Sequence, residues 1–164
     1  MQWPRDPKFE GFGFISFIIR HLHNSPVDFC RSFPTKSLQW WGPDGFTTTT
    51  SVFEFKPGGQ WRFVMHGPDG RDYQNRVIYV DIVPPERLVY RHTGDEDVEP
   101  VQFIQELTFE DLGGGKTRLT WSGTFPSAEQ RAHVIKDYGA DKGLVQCLAR
   151  LAEFVAQQGG VAVR

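Results

Sequence analysis

The chain has 164 residues, enough for one domain with a sizeable core, and its 14 Phe and 5 Trp supply either a packed interior or the lining of an apolar cavity. A formal charge of −2 provides no broad basic field, which excludes general nucleic-acid binding. Two distant cysteines, Cys30 and Cys147, in no CxxC spacing exclude a disulfide framework or a structural zinc site and point to a reducing cytosol.

Residues 1–12, with Pro4 and Pro7, read as a loose lead-in. Gly11 to Ile19 is the only candidate targeting segment. It is too short to span a bilayer, no small-residue cleavage site follows, and Arg20, His21 and His23 come directly after it. Its aromatic and β-branched content predicts a first strand over Phe14–Leu22, in a cytoplasmic protein with no membrane partner. Asn24-Ser25-Pro26 predicts a helix start with Ser25 as cap. Pro34 interrupts that helix, and Thr35–Trp41 predicts a second short helical turn. Trp40-Trp41 then runs into the Gly42-Pro43-Asp44-Gly45 turn, which reverses the chain beside two bulky aromatics.

From Phe46 the pattern predicts strands at Phe46–Phe55, Gln60–His66, Asp72–Val83, Arg87–His92, Val101–Asp111 and Thr117–Phe125. Pro57-Gly58-Gly59, Pro68-Asp69-Gly70, Pro84-Pro85-Glu86, the acidic loop Gly94–Pro100 and Gly113-Gly114-Gly115 connect them, which is the grammar of an antiparallel meander. Alternation places Trp61, Phe63 and Met65 on one face. Phe103, Gln105, Leu107 and Phe109, then Leu119 and Trp121, follow the same rule, with Arg62, Glu106, Arg118 and Thr120 turned the other way. Ser127-Ala128-Glu129-Gln130 reads as a capping box. A longer helix is predicted from about Asp141 to Gln158, with Leu144, Leu148, Leu151 and Val155 as its apolar stripe. Gly159-Gly160 ends it, leaving 159–164 as a short tail to a single domain over 13–158. The order predicts an α+β fold, a sheet curled around a helix.

That order, with the motifs Trp40-Trp41-Gly42-Pro43-Asp44-Gly45-Phe46, Lys56-Pro57-Gly58-Gly59-Gln60-Trp61-Arg62-Phe63, Met65-His66-Gly67-Pro68-Asp69-Gly70 and Ile82-Val83-Pro84-Pro85-Glu86-Arg87, resembles the family related to the activator of the heat-shock protein 90 ATPase. The family lies within the START-like helix-grip (SRPBCC) superfamily. Gly113-Gly114-Gly115-Lys116-Thr117-Arg118-Leu119 and Gly143 with the Leu148/Leu151 spacing continue the likeness, which runs from about Ser25 to Val155. The segment between Pro26 and Trp40 is shorter than similar proteins usually have. The resemblance implies a curved antiparallel sheet of six or seven strands gripping the last helix, with two short helices after the first strand. It also implies a cavity between sheet and helix, which in this superfamily often holds lipids, polyketides or other hydrophobic ligands.

Catalytic motifs are sparse. Gly115-Lys116-Thr117 looks like the tail of a phosphate-binding loop, but the opening glycine of that motif falls on Glu110 and a strand follows where a helix is required. The five histidines, His21, His23, His66, His92 and His133, show no HExxH or clustered spacing, and read as surface or strand-end residues; His21 and His23 share a strand face without a visible third ligand. Similar proteins favour acids at Glu54 and Asp81. Alternation sets Glu54 opposite Phe53 and Phe55, facing solvent or an arginine such as Arg62 or Arg76. Asp81 is ambiguous, because Val77 and Tyr79 on its face are as apolar as Ile78 and Val80 on the other. Facing a cavity, its carboxyl would serve as an acid, a base or a ligand anchor.

The aromatic candidates for a cavity lining are Trp41, Phe53, Phe55, Trp61, Phe63, Tyr90, Phe103 and Trp121. Met65, Leu107, Leu144 and Leu148 join them, with Asp81 or Tyr90 as the polar contact, while Cys147 reads as a small buried hydrophobe. The expected function is non-enzymatic binding of a small hydrophobic molecule, with no catalytic residue, metal or cofactor, by a monomer or homodimer. Two alternatives stand beside it. One is a co-chaperone-like, stress-response interaction module with a chaperone or other protein partner. The other is a cyclase- or hydrolase-like enzyme using Asp81 or His66.

Overall fold

Glycine- and proline-rich turns cut the chain into strands that can only run back and forth. In the computed structural model, residues 12–20, 36–37, 39–95, 102–114, 116–157 and 161–163 are described. The strands are β1 (Phe12–Arg20), β2 (Thr47–Phe53), β3 (Gln60–His66), β4 (Asp72–Val83), β5 (Arg87–Gly94), β6 (Gln102–Gly113), β7 (Lys116–Thr124) and β8 (Val161–Val163). Helices α1 (Ala128–Tyr138) and α2 (Ala140–Gln157) lie between β7 and β8. All eight strands pair antiparallel in one sheet of order β2-β3-β4-β5-β6-β7-β1-β8. The curved sheet with its C-terminal helices is the helix-grip arrangement.

Of the two short helices expected after the first strand, the one starting at Ser25 falls outside the described residues. Within the second, Lys36, Ser37, Gln39 and Trp40 are helical. The segment expected as a tail includes β8, which pairs with Ile18, Ile19 and Arg20 of β1.

Local chemistry sets the helix ends. Ser127 is extended, and its Oγ accepts from the Gln130 amide at 3.2 Å, satisfying one of the orphan donors of the first turn of α1. Gly139 closes α1 in the left-handed region at φ 59°, which any side chain would strain, and its amide donates to the Ile135 carbonyl at 3.0 Å. This cap lets the chain turn at once into α2, whose buried stripe is Cys147, Leu148, Leu151 and Val155.

That stripe packs against inward residues of the sheet, Trp61, Phe63, Val77, Tyr79, Leu88, Tyr90, Leu107, Leu119 and Trp121. Burying an aliphatic or phenyl side chain of this kind contributes about 1.5–3 kcal/mol. Trp41 stands at the centre of the layer. Its ring lies 5.0 Å from Trp61, 5.6 Å from Trp121, and 6.3 Å from both Phe63 and Tyr90. The Trp-Trp-Gly-Pro-Asp-Gly segment therefore delivers the central aromatic of the core as well as a turn.

One irregularity bears directly on the candidate residues. The register between β4 and β5 shifts between Tyr79 and Asp81. Before the shift Asn75, Val77 and Tyr79 face the core; after it Ile82 does. A bulge adds one residue and so reverses the alternation. Asp81, which strict alternation groups with Val77 and Tyr79, is turned to the outer face.

Candidate functional site

The inner face of the sheet is filled at one end and hollow at the other. At the β2–β3–β4 end, Phe53 lies 5.3 Å from Trp61, Phe55 lies 5.0 Å edge-on to Tyr79, and Trp61 stacks on Phe63 at 4.2 Å. Rings at these distances leave no room for a guest. Toward α1, the wall includes Gly123 and Gly94, which have no side chains, and the roof is Val134, Ile135 and Tyr138. The space enclosed there is about 490 Å³. This lies inside the ~300–1,000 Å³ range of small-molecule sites.

The expected lining residues divide accordingly. Trp41, Met65, Tyr90, Phe103, Trp121 and Leu144 border the cavity. Trp61, Phe63, Leu107 and Leu148 belong to the packed core, with Phe53 and Phe55 against it, and none of the six borders the cavity. Asp81 is also away from the cavity and forms an ion pair with Arg87, which reaches Glu106 at 3.6 Å on the outer face. The bulge explains this placement. Arg62 pairs with Asp95. Glu54 is exposed, 4.0 Å from Lys56, as its opposition to Phe53 and Phe55 requires.

Five polar residues line the cavity interior that the sequence does not single out as lining: Asn75, His92, Thr93, Gln105 and Cys147. His92 is a wall residue on β5, not a surface histidine. Its ring lies 4.9 Å from Phe103, which in turn stacks on Phe125 at 4.9 Å. Burial lowers its pKa to about 4, so the imidazole is neutral near pH 7. Its Nε2 is 2.8 Å from Asn75 Oδ1, while Asn75 Nδ2 donates to the Tyr73 carbonyl at 2.8 Å. Gln105 Oε1 accepts from Trp121 Nε1 at 2.5 Å. Burial pushes the Cys147 thiol up to about 11, and it holds the Tyr90 phenol well above its ordinary range. The one advance signal for His92 was its place on the apolar alternation Leu88, Tyr90, His92.

The mouth is polar. Exposed Arg71, Asp72, Gln74 and Asp141 and half-buried Arg131 border it, and the Arg71 guanidinium lies 4.8 Å over the Tyr73 ring.

The remaining candidates lie elsewhere. His66 occupies a strand end, with Nδ1 2.6 Å from Asp72 Oδ1 and Nε2 2.9 Å from Thr49 Oγ1, all three residues exposed or partly so. This is the strand-end position expected of it. His133 pairs with Asp137 one turn along α1, at 2.5 Å. His21, His23 and Cys30 lie outside the described residues. Lys116 and Thr117 open β7 directly after the β6–β7 hairpin, so no helix follows to receive a phosphate. Among the described residues, no group of three or more His, Cys, Asp or Glu side chains is placed to hold a metal ion. No helix among them is long and apolar enough to cross a membrane.

The family model for Activator of Hsp90 ATPase homolog 1-like protein matches residues 33–156, three quarters of the chain and both walls of the cavity. The protein belongs to this family. Solved structures of bacterial proteins agree with this homologue's fold over nearly its whole length. One from Chromobacterium violaceum is 25% identical, covers 87% of this chain and 96% of its own, and has a TM-score of 0.69. One from Arthrobacter aurescens is 24% identical over 88% and 86% of the two chains, with a TM-score of 0.75. The AHSA1 protein from Silicibacter pomeroyi is 18% identical over 90% and 99%, with a TM-score of 0.67. A comparison with curated proteins finds no match.

Proposed function

We propose that this member of the Hsp90-ATPase-activator homologue family binds a small, largely apolar molecule in the cavity between the sheet and helices α1 and α2, without transforming it. The observation that carries this reading is the cavity itself, about 490 Å³ bordered by Trp41, Met65, Tyr90, Phe103 and Trp121 at one end of an otherwise filled core. Binding without reaction is supported by the state of its polar groups. The Cys147 thiol is held protonated by burial. His92 bonds to an amide, not to a hydroxyl or thiol that it would activate. Asp81 is engaged with Arg87 on the other face, and His66 does not border the cavity.

The test is titration of the purified protein with N-phenyl-1-naphthylamine, a neutral apolar fluorophore, beside native mass spectrometry of the freshly isolated protein. Saturable one-to-one binding that quenches Trp41 and Trp121 is expected. Gly123→Val should weaken it at least tenfold. The nearest atoms to a Cβ at Gly123 are Phe125 Cε2 at 3.4 Å and Gln105 Nε2 at 3.6 Å, ordinary contact distances, so the new side chain fills the cavity more than it strains the wall. Absence of saturable binding would sink the reading, and the family match would then favour a co-chaperone-like interaction module.

A further inference from the structure

The polar groups of the cavity have fixed, unequal roles. Asn75 Nδ2 is committed to the Tyr73 carbonyl, so Oδ1 is the atom turned to His92. A carboxamide oxygen only accepts; the hydrogen between them therefore sits on His92 Nε2. A neutral ring protonated at Nε2 leaves Nδ1 as a bare lone pair, and Nδ1 has no hydrogen-bond partner among the described residues. Gln105 is fixed by the same logic. Its Oε1 takes the Trp121 Nε1 hydrogen, leaving the Nε2 amide hydrogens as donors. His92 pairs with Phe103 and Tyr90 with Gln105 across β5 and β6, so the acceptor and the donor lie diagonally on one face of adjacent strands.

We propose that the cavity selects an uncharged ligand bearing a hydroxyl group, phenol or alcohol, which donates to His92 Nδ1, and that Asn75 is the positioning residue that keeps Nδ1 an acceptor. Gln105 Nε2 then meets the oxygen lone pairs of the same hydroxyl or of a neighbouring carbonyl. An apolar molecule without a donor leaves the imidazole lone pair dry and unpaired, which is penalised more than a hydrogen bond is rewarded. A carboxylate sets its charge against that lone pair and the apolar wall; among the described residues bordering the cavity, the cations are Arg71 and Arg131 at the mouth.

This inference rests on the binding reading above, and three naphthalene probes separate the two. Dissociation constants are measured by tryptophan quenching for 2-naphthol, 2-methoxynaphthalene and 2-naphthoate. The expected order has 2-naphthol tightest, by about three- to tenfold over the methoxy compound. In His92→Phe that ratio should fall to near one while the methoxy compound still binds. In Asn75→Ala the ring is free to take either tautomer, so the ratio should shrink in a way that simple loss of packing would not produce. Should His92→Phe fail to fold, nitrogen-15 spectra of the unaltered protein give the answer. They should show His92 protonated at Nε2, with Nδ1 shifting upfield on saturation with 2-naphthol and not with the methoxy compound. Equal binding of the two neutral probes, an unchanged ratio in His92→Phe, or an Nδ1-protonated ring would overturn the inference and leave the cavity reading standing. Tightest binding by 2-naphthoate would also overturn it, in favour of a head group at Arg71 and Arg131. Failure of all three probes to bind would remove both readings.

Discussion

Arg150 holds the Trp-Gly-Pro-Asp-Gly segment against α2, and its removal should loosen the roof of the core. Its Nη1 lies 3.0 Å from the Gly42 carbonyl and 2.8 Å from that of Pro43, with the Phe46 carbonyl at 3.5 Å. The same face of α2 meets this segment at three other points. A Cβ on Gly143 would stand 3.3 Å from Pro43 Cγ, Gln146 Oε1 accepts from the Asp44 amide at 3.4 Å, and the Cys147 thiol lies 4.0 Å from the Trp40 carbonyl. Arg150→Met keeps most of the side-chain length and deletes the donor, leaving partly buried turn carbonyls without it. A hydrogen bond to a charged group contributes about 1.5–3 kcal/mol, but here one nitrogen serves two good acceptors and the site is only half-buried, so the whole loss should be about 2–3 kcal/mol. For a domain of this size that lowers Tm by about 5–10 °C. Thermal unfolding followed by circular dichroism and tryptophan emission would read it, with Arg150→Lys recovering part of the loss as a single charged donor. A methionine variant melting within about 2 °C of the parent would show that water satisfies these carbonyls and that the latch is idle.

Leu148 is 2% exposed, so Leu148→Asp places an unpaired charge in the core at a cost comparable to the entire stability of a domain, and no cooperative melt should remain; a soluble variant with an unchanged melt would mean that α2 does not dock. His92 has its folded pKa depressed to about 4 from 6.5, so the unfolded chain binds more protons between those values. Its contribution is therefore complete above pH 6.5 and is lost as the pH falls toward 4, with a slope of at most about 1.4 kcal/mol per pH unit. Denaturant titrations at pH 7 and 5 should show a smaller difference for His92→Gln than for the parent, and equal differences would refute the buried neutral imidazole. Gly123→Ala should change the denaturation midpoint little, by at most about 1 kcal/mol, since its methyl enters ordinary van der Waals space; a loss several times larger would mean that the wall at Gly123 is tighter than its geometry.

The sequence by itself determined β1 to β7, α1 and α2 and their order, but not β8, which it read as tail. Turn residues with special backbone needs placed the boundaries of β3 and β4 where they stand, Ser127 started α1, and a 3.6-residue stripe identified the buried face of α2. These are local properties, written in residues within a few positions of one another. Tertiary structure decided which aromatics fill space and which surround it. Alternation groups Trp61, Phe63 and Met65 on one face, yet only Met65 borders the cavity, because Phe53 and Tyr79 from neighbouring strands, and Phe55 just beyond β2, occupy the same end. It also decided Asp81, since a bulge is an extra residue relative to a partner strand and leaves no period of its own in the sequence. His92 and Asn75 are 17 positions apart and Arg150 is 108 from Gly42, so their pairings became visible only once the sheet and α2 brought them together. Periodicity says which way a side chain points; what it meets there depends on parts of the chain that the local pattern does not contain.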